Sequence, residues 1–99
     1  MPDLTLQDVY DNGLPAYTLE YWIIRGLLHP IVRGRGTPRE WPAEELQVAN
    51  LMRRLVDAGL TVDVAALVAR AHLDGRPLVK LAPGVVLAID TDLLTQEVT

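Results

Sequence analysis

Four arginines, Arg25, Arg33, Arg35 and Arg39, fall within fifteen residues with no acid between them. Gly34 and Gly36 alternate with the middle pair. A guanidinium presents a planar fork of donors that matches phosphate oxygens, and glycine lets a backbone approach a surface closely. The chemistry this segment offers is anion binding, above all to a phosphate backbone. The overall formal charge of −4 argues against such a partner, but the charge is unevenly distributed. Residues 1–20 hold four acids (Asp3, Asp8, Asp11, Glu20) and no base, residues 21–56 hold six arginines against three glutamates, and residues 57–99 hold three bases against six acids. A local cationic patch acts independently of acids farther away than the Debye length, ~8 Å at physiological salt. The competing reading of the same residues is a solvated Arg/Gly loop with no partner.

Other chemistries find little support. The chain has no cysteine, which excludes disulfides and thiolate metal sites. His29 and His72 have no acidic or Cys partner at ligand spacing, so no metal site is expected. No glycine-rich phosphate loop precedes a lysine, and Glu44 and Glu45, adjacent on a helix, point in different directions rather than forming a paired acid and base. Serine is absent altogether. Neither an enzyme nor a cofactor is expected. The longest apolar run, around Tyr21–Leu28, is interrupted by Arg25 and falls short of the ~18 residues a membrane span needs. The amino terminus has no basic and apolar leader. The expectation is a soluble cytoplasmic protein with no membrane partner and no evident small-molecule effector.

The elements that must position the arginines follow from capping and periodicity. At 99 residues, 49% of them hydrophobic and 22% charged, the chain suits one compact unit. Thr5 caps a first short helix with Asp8 three residues on, Leu6, Val9 and Tyr10 line one face, and Gly13 stops it. Ala16–Arg25 forms a second helix with Leu19 and Ile23 four apart and Gly26 as terminator; Trp22 and Ile24 add further apolar faces, as if it met more than one neighbour. Two short helices joined by a glycine turn make a helix-turn-helix pattern. Leu27–Val32 is extended, Arg33–Pro38 is a turn, and Arg39–Trp41 resumes an extended run, together a short hairpin with a basic tip. Pro42, Glu44 and Glu45 open a third helix whose face is Val48, Leu51, Met52, Leu55 and Val56, with Arg53 and Arg54 as surface residues beside it. Thr61 caps a fourth, with Val64, Leu67, Val68 and Ala71 as its stripe and Gly75 at its end. Leu78–Leu81 and Val85–Ile89 read as strands about a type II turn at Pro83-Gly84. Such a hairpin is marginal alone, so it lies on the helices, pairs with the basic hairpin, or pairs with another copy. Asp90–Val98 forms a last helical turn or frays.

Thr18-Leu19-Glu20-Tyr21-Trp22, followed by Arg25-Gly26-Leu27-Leu28, resembles the end of the recognition helix in MerR-like regulators. The resemblance runs on through the Gly-rich basic wing to Arg39 and Trp41, and into the helix carrying Leu51, Arg53, Arg54, Leu55, Ala58, Gly59 and Leu60, so that about residues 4–72 are covered. It implies a mainly α fold with a small β component (α+β), with a winged helix-turn-helix domain over residues 1–75; the C-terminal hairpin and tail over 76–99, read from the residues themselves, are a candidate dimerisation element. It also implies a sequence-specific double-stranded DNA-binding protein, a transcriptional regulator acting as a homodimer. Its second helix would enter the major groove and its wing would follow the phosphate backbone. The DNA contacts so implied are Tyr17, Thr18 and Tyr21 towards base edges, Arg33, Arg35 and Arg39 towards phosphates, and Arg25 at the helix end, where it also complements the helix dipole. Two positions depart from the family pattern. Glu20 stands where the family has a basic residue, and either accepts from a cytosine amino group or turns away to an arginine. The long dimerisation helix with its effector region is replaced by the hairpin at 78–89. Two other functions fit the same residues: an excisionase-like or architectural DNA-binding factor, and an antitoxin-like adaptor that uses the apolar hairpin.

Overall fold

The computed structural model describes residues 4–90. Four helices, α1 (Leu6–Asp11), α2 (Ala16–Ile24), α3 (Ala43–Asp57) and α4 (Val62–Leu73), precede a hairpin of β1 (Leu78–Ala82) and β2 (Val85–Ala88). At the start of α1 the Thr5 hydroxyl accepts from the Asp8 amide at 3.1 Å while the Asp8 carboxylate accepts from the Thr5 amide at 2.9 Å. This reciprocal pair satisfies two donors that a helix start otherwise leaves open. The Thr61 hydroxyl caps α4 by accepting from the Val64 amide at 3.3 Å, without a reciprocal bond.

The end of α2 decides where the chain goes next. The Gly26 amide donates to Ile23 and the Leu27 amide to Trp22, with Gly26 at φ 76°. This is the Schellman closure, which needs a left-handed residue and so favours glycine. It turns the chain sharply and delivers Leu28, 2% exposed, into the core. The same pair of bonds closes α1, α3 and α4.

The core joins Val9, Leu14, Leu19, Trp22 and Leu28 to Leu46, Val48, Ala49, Leu51 and Met52 of α3 and Ala65, Ala66 and Ala69 of α4. The small alanines let α3 and α4 pack closely. A second cluster of Val68, Ala71 and Val79, flanked by Leu87 and Ile89, seats the hairpin on α4. The hairpin packs on the helices, and among the described residues its strands pair with each other and not with the basic hairpin. Its register runs from Leu78↔Ala88 to Lys80↔Val86, then shifts to Ala82↔Val85, so Leu81 is the extra residue of a bulge. Gly84, at φ 78°, takes the conformation expected of the type II turn. The tail expected to follow lies outside the described residues from 91 onward. No described helix is long and apolar enough to cross a membrane.

Three sequence expectations are corrected. Leu67, placed in the α4 stripe, is 47% exposed. The buried arc of α4 is Ala65, Ala66, Val68, Ala69, Ala71 and His72, and at ~100° per residue Leu67 lies opposite its centre. Ile24, read as meeting a neighbour, is 80% exposed, and the buried residues of α2 are Leu19 and Trp22. Arg53 is more than a surface arginine: its side chain is 20% exposed, pairs with Asp57, and lies against Gly13 in the α1–α2 turn.

Beneath the arginine segment lies one network that periodicity did not show. Glu45, in the first turn of α3 and nearly buried, accepts from Arg70 of α4 through both oxygens, at 2.6 and 2.9 Å, and from the His29 amide at 2.7 Å. Arg70 also donates to the Leu27 carbonyl at 2.9 Å. Two helices and the segment leaving α2 are thereby fastened at one point. The Arg70 hydrogen bonds hold the Glu45 carboxyl below its ordinary value of 4.5, outweighing the opposing effect of burial. A folded value below the unfolded one stabilises the protein above pH 4.5, and that contribution is lost as pH falls through the lowered value. Thermal melts from pH 7 to pH 3 are expected to show an acid limb that is shallower in Glu45→Gln.

Candidate nucleic-acid interface

The two sides of α2 differ sharply. Leu19 and Trp22 point into the core, whereas Tyr17 (78% exposed), Tyr21 (51%) and Ile24 (80%) line the opposite side. Thr18 and Glu20 are half-buried at its flanks. Arg25, just beyond the helix, lies over the Tyr21 ring at 5.7 Å from its centroid and donates to its hydroxyl at 3.3 Å. Tyr17 and Tyr21 thus share a face, as their four-residue spacing implied, and that face looks outward.

Leaving the turn, the chain runs through His29 and Pro30 into the basic hairpin, which is a single rung. The Ile31 amide donates to Glu40 at 2.8 Å and the Glu40 amide to Ile31 at 2.9 Å. The neighbouring hydrogen-bonded rungs of an antiparallel ladder would pair residues 29 with 42 and 33 with 38. Pro42 and Pro38 have no amide to give, and the His29 amide is taken by Glu45. Of the hairpin expected from the sequence only this one bridge forms, because prolines on either side leave its neighbouring rungs without amides. At the tip the Thr37 amide donates to the Gly34 carbonyl at 3.3 Å, with Gly36 at φ 80°. This turn places Arg35 at its corner.

The acid-free appearance of the arginine segment does not survive folding. Arg39 forms a two-pronged bond to Glu20 of α2, Arg33 forms one to Glu40 across the hairpin stem, and Arg25 reaches Asp63 at the start of α4. Among the described residues Arg35 has no ion-pair partner. These pairs lie at the surface, the Arg33 and Glu40 side chains being 60% and 53% exposed. Water and salt screen them, so a phosphate can take over the guanidinium at little loss. Glu20 has turned to an arginine, one of the two roles open to it, and the Arg39 hydrogen bond holds its carboxyl below the ordinary 4.5. Trp41 packs half-buried against the core beneath the hairpin.

The exposed side of α2 is thus flanked by a link, Glu20–Arg39, to a basic hairpin whose turn carries Arg35 at its corner. The family model for the MerR HTH family regulatory protein matches residues 11–72. The chain belongs to this MerR helix-turn-helix family. The match spans α2, the basic hairpin, all of α3 and most of α4, and it points to DNA binding and a transcriptional role. No curated protein matches the chain.

Sequence reasoning missed Ile24 as part of the outward face. Its signal is the i, i+4, i+7 spacing of Tyr17, Tyr21 and Ile24, directly opposite Leu19. Asp63, the partner of Arg25, gives no local signal, since it stands 38 residues away.

If the outward side of α2 meets a duplex, Glu20→Gln removes a negative charge near the phosphates and keeps a neutral acceptor that holds Arg39, and with it the basic hairpin, beside α2. Unit charges ~4 Å apart in water interact by ~1 kcal/mol, so duplex binding at low salt is expected to tighten about fivefold. Fluorescence anisotropy with a labelled duplex measures this.

Proposed function

We propose that this protein is a sequence-specific, double-stranded DNA-binding transcriptional regulator that acts in the cytoplasm as a homodimer. In this reading α2 enters the major groove, with Tyr17, Thr18 and Tyr21 near base edges, and Arg33, Arg35 and Arg39 follow the phosphates of the flanking backbone, joined by Arg25. The observation that carries the reading is the Glu20–Arg39 bond, which keeps the wing beside the outward side of α2. Positioning contacts and base contacts then fall on one surface, the division of labour that duplex recognition requires. The dimer reading rests on the hairpin, whose outward face leaves Leu78 60% and Val86 56% exposed. A second copy burying these residues would pair two recognition helices.

Selection of bound duplexes from a random pool tests both parts together. A homodimer is expected to enrich two inverted half-sites at a fixed spacing. Tandem direct sites bound cooperatively, with bending, would instead favour the architectural reading. Val86→Lys places a charge on the outward hairpin face and is expected to yield monomer by light scattering. A dimer that persists in that variant contradicts the hairpin interface and leaves Leu78 and Val86 to a different partner, as the adaptor reading has it.

A further inference from the structure

The outward side of α2 lacks the groups that read most bases. In the major groove guanine is recognised by arginine or lysine, adenine by asparagine or glutamine, the cytosine amino group by a carboxylate, and thymine by apolar contact with its C5 methyl group. Residues 16–24 contain no arginine, lysine, asparagine or glutamine. The single carboxylate, Glu20, has both oxygens engaged by Arg39. The Tyr21 hydroxyl already accepts from Arg25. Apart from the single hydroxyls of Tyr17, Thr18 and Tyr21, none of which can make a bidentate base contact, what remains for base edges is apolar surface, with Ile24 80% and Tyr17 78% exposed. The occupant of this surface is constrained by its rim. Arg35 stands at the wing's corner, while Arg25, Arg33 and Arg39 hold only screened surface partners. An apolar strip bordered by arginines complements a duplex, whose methyl groups lie in the groove and whose phosphates lie along its edges.

Resting on the DNA-binding reading above, we propose that α2 selects thymine through its C5 methyl groups, with Ile24 and Tyr17 as the specificity-determining contacts. Preference then arises from covering apolar side chains that the free protein leaves in water, and no bidentate hydrogen bond to a base is needed.

The test uses the full chain and the duplex most enriched from a random pool. That duplex is compared with copies in which uracil, which lacks the methyl group, replaces thymine within the half-sites or only in the flanks. Each contacted methyl removed is expected to weaken binding about three- to fourfold, with flank replacement silent and the salt dependence unchanged. Ile24→Ala is expected to weaken binding to the thymine duplex by a similar factor and to leave binding to the half-site uracil duplex unaltered. Equal affinity for the thymine and half-site uracil duplexes overturns the proposal, as does an Ile24→Ala loss of the same size on both. Salt-dependent binding with no enriched sequence overturns methyl selection alone and leaves DNA binding standing. Failure to bind any duplex overturns both.

Discussion

Arg70→Ala is expected to lower the thermal midpoint by about 10–20 °C. The substitution leaves the Glu45 carboxylate in a nearly buried position with only the His29 amide to satisfy it, and it strips the Leu27 carbonyl of its donor. Breaking a fully buried ion pair by removing one partner costs ~3–5 kcal/mol. Arg70 keeps 31% of its side chain exposed, so about 2–3 kcal/mol is expected here, and each kcal/mol shifts the midpoint of a domain this size by about 4–8 °C. The double variant Glu45→Leu/Arg70→Leu is expected to recover most of the loss, because no unpaired charge remains. A calorimetric midpoint for Arg70→Ala within about 3 °C of the parent protein would contradict the account. The functional consequence follows from what the pair fastens. With the wing root loosened from α3 and α4, Arg33–Arg39 loses its fixed position beside α2.

The double variant Arg33→Ala/Arg35→Ala is expected to bind every duplex more weakly, and by similar factors whatever the sequence. Phosphate contacts fix register and carry no sequence information. Each one lost should make the slope of log affinity against log salt shallower by ~0.9. For two contacts that slope alone accounts for about a tenfold change between 50 and 200 mM salt. Neither arginine supports the core, since both lie at the surface of the wing, so the melting temperature should barely move. Changes at Thr18 or Tyr21 should alter sequence preference instead. A double variant that keeps the parent slope but loses preference would reverse the assignment of wing and helix.

The residues that made the fold legible are those whose signals are local. Thr5 with Asp8, Thr61, Gly26 and Gly84 each act within a few residues, through caps and turns that depend on nothing distant, and each stands where its chemistry implies. The α3 face is legible for a related reason: Val48, Leu51 and Met52 recur at helical spacing and meet a partner along the helix. α4 is harder because it has two neighbours. With α3 on one side and the hairpin on the other, its buried arc is broad and filled largely by alanines, which a search for large apolar residues passes over.

In the candidate interface, the location of the arginines was readable while their partners were not. Arg25–Asp63, Arg39–Glu20 and Arg70–Glu45 are separated by 38, 19 and 25 residues. Such pairing depends on where helices cross, which neither spacing nor composition encodes. Glu45 shows the limit most clearly. Its place in the first turn of a helix suggests a dipole-complementing surface acid, yet it is the most constrained carboxylate described here. The single-rung wing was readable in principle, because Pro38 and Pro42 fall on the two positions where the ladder would need an amide.

The central claim is that the wing and the outward side of α2 together grip a duplex. It is tested most directly by titrating the 99-residue chain against duplex DNA over a series of salt concentrations. Four arginines engaged per protomer predict a slope of log affinity against log salt of about −3.6 for each protomer. A flat response, or no binding at low ionic strength, would contradict the claim.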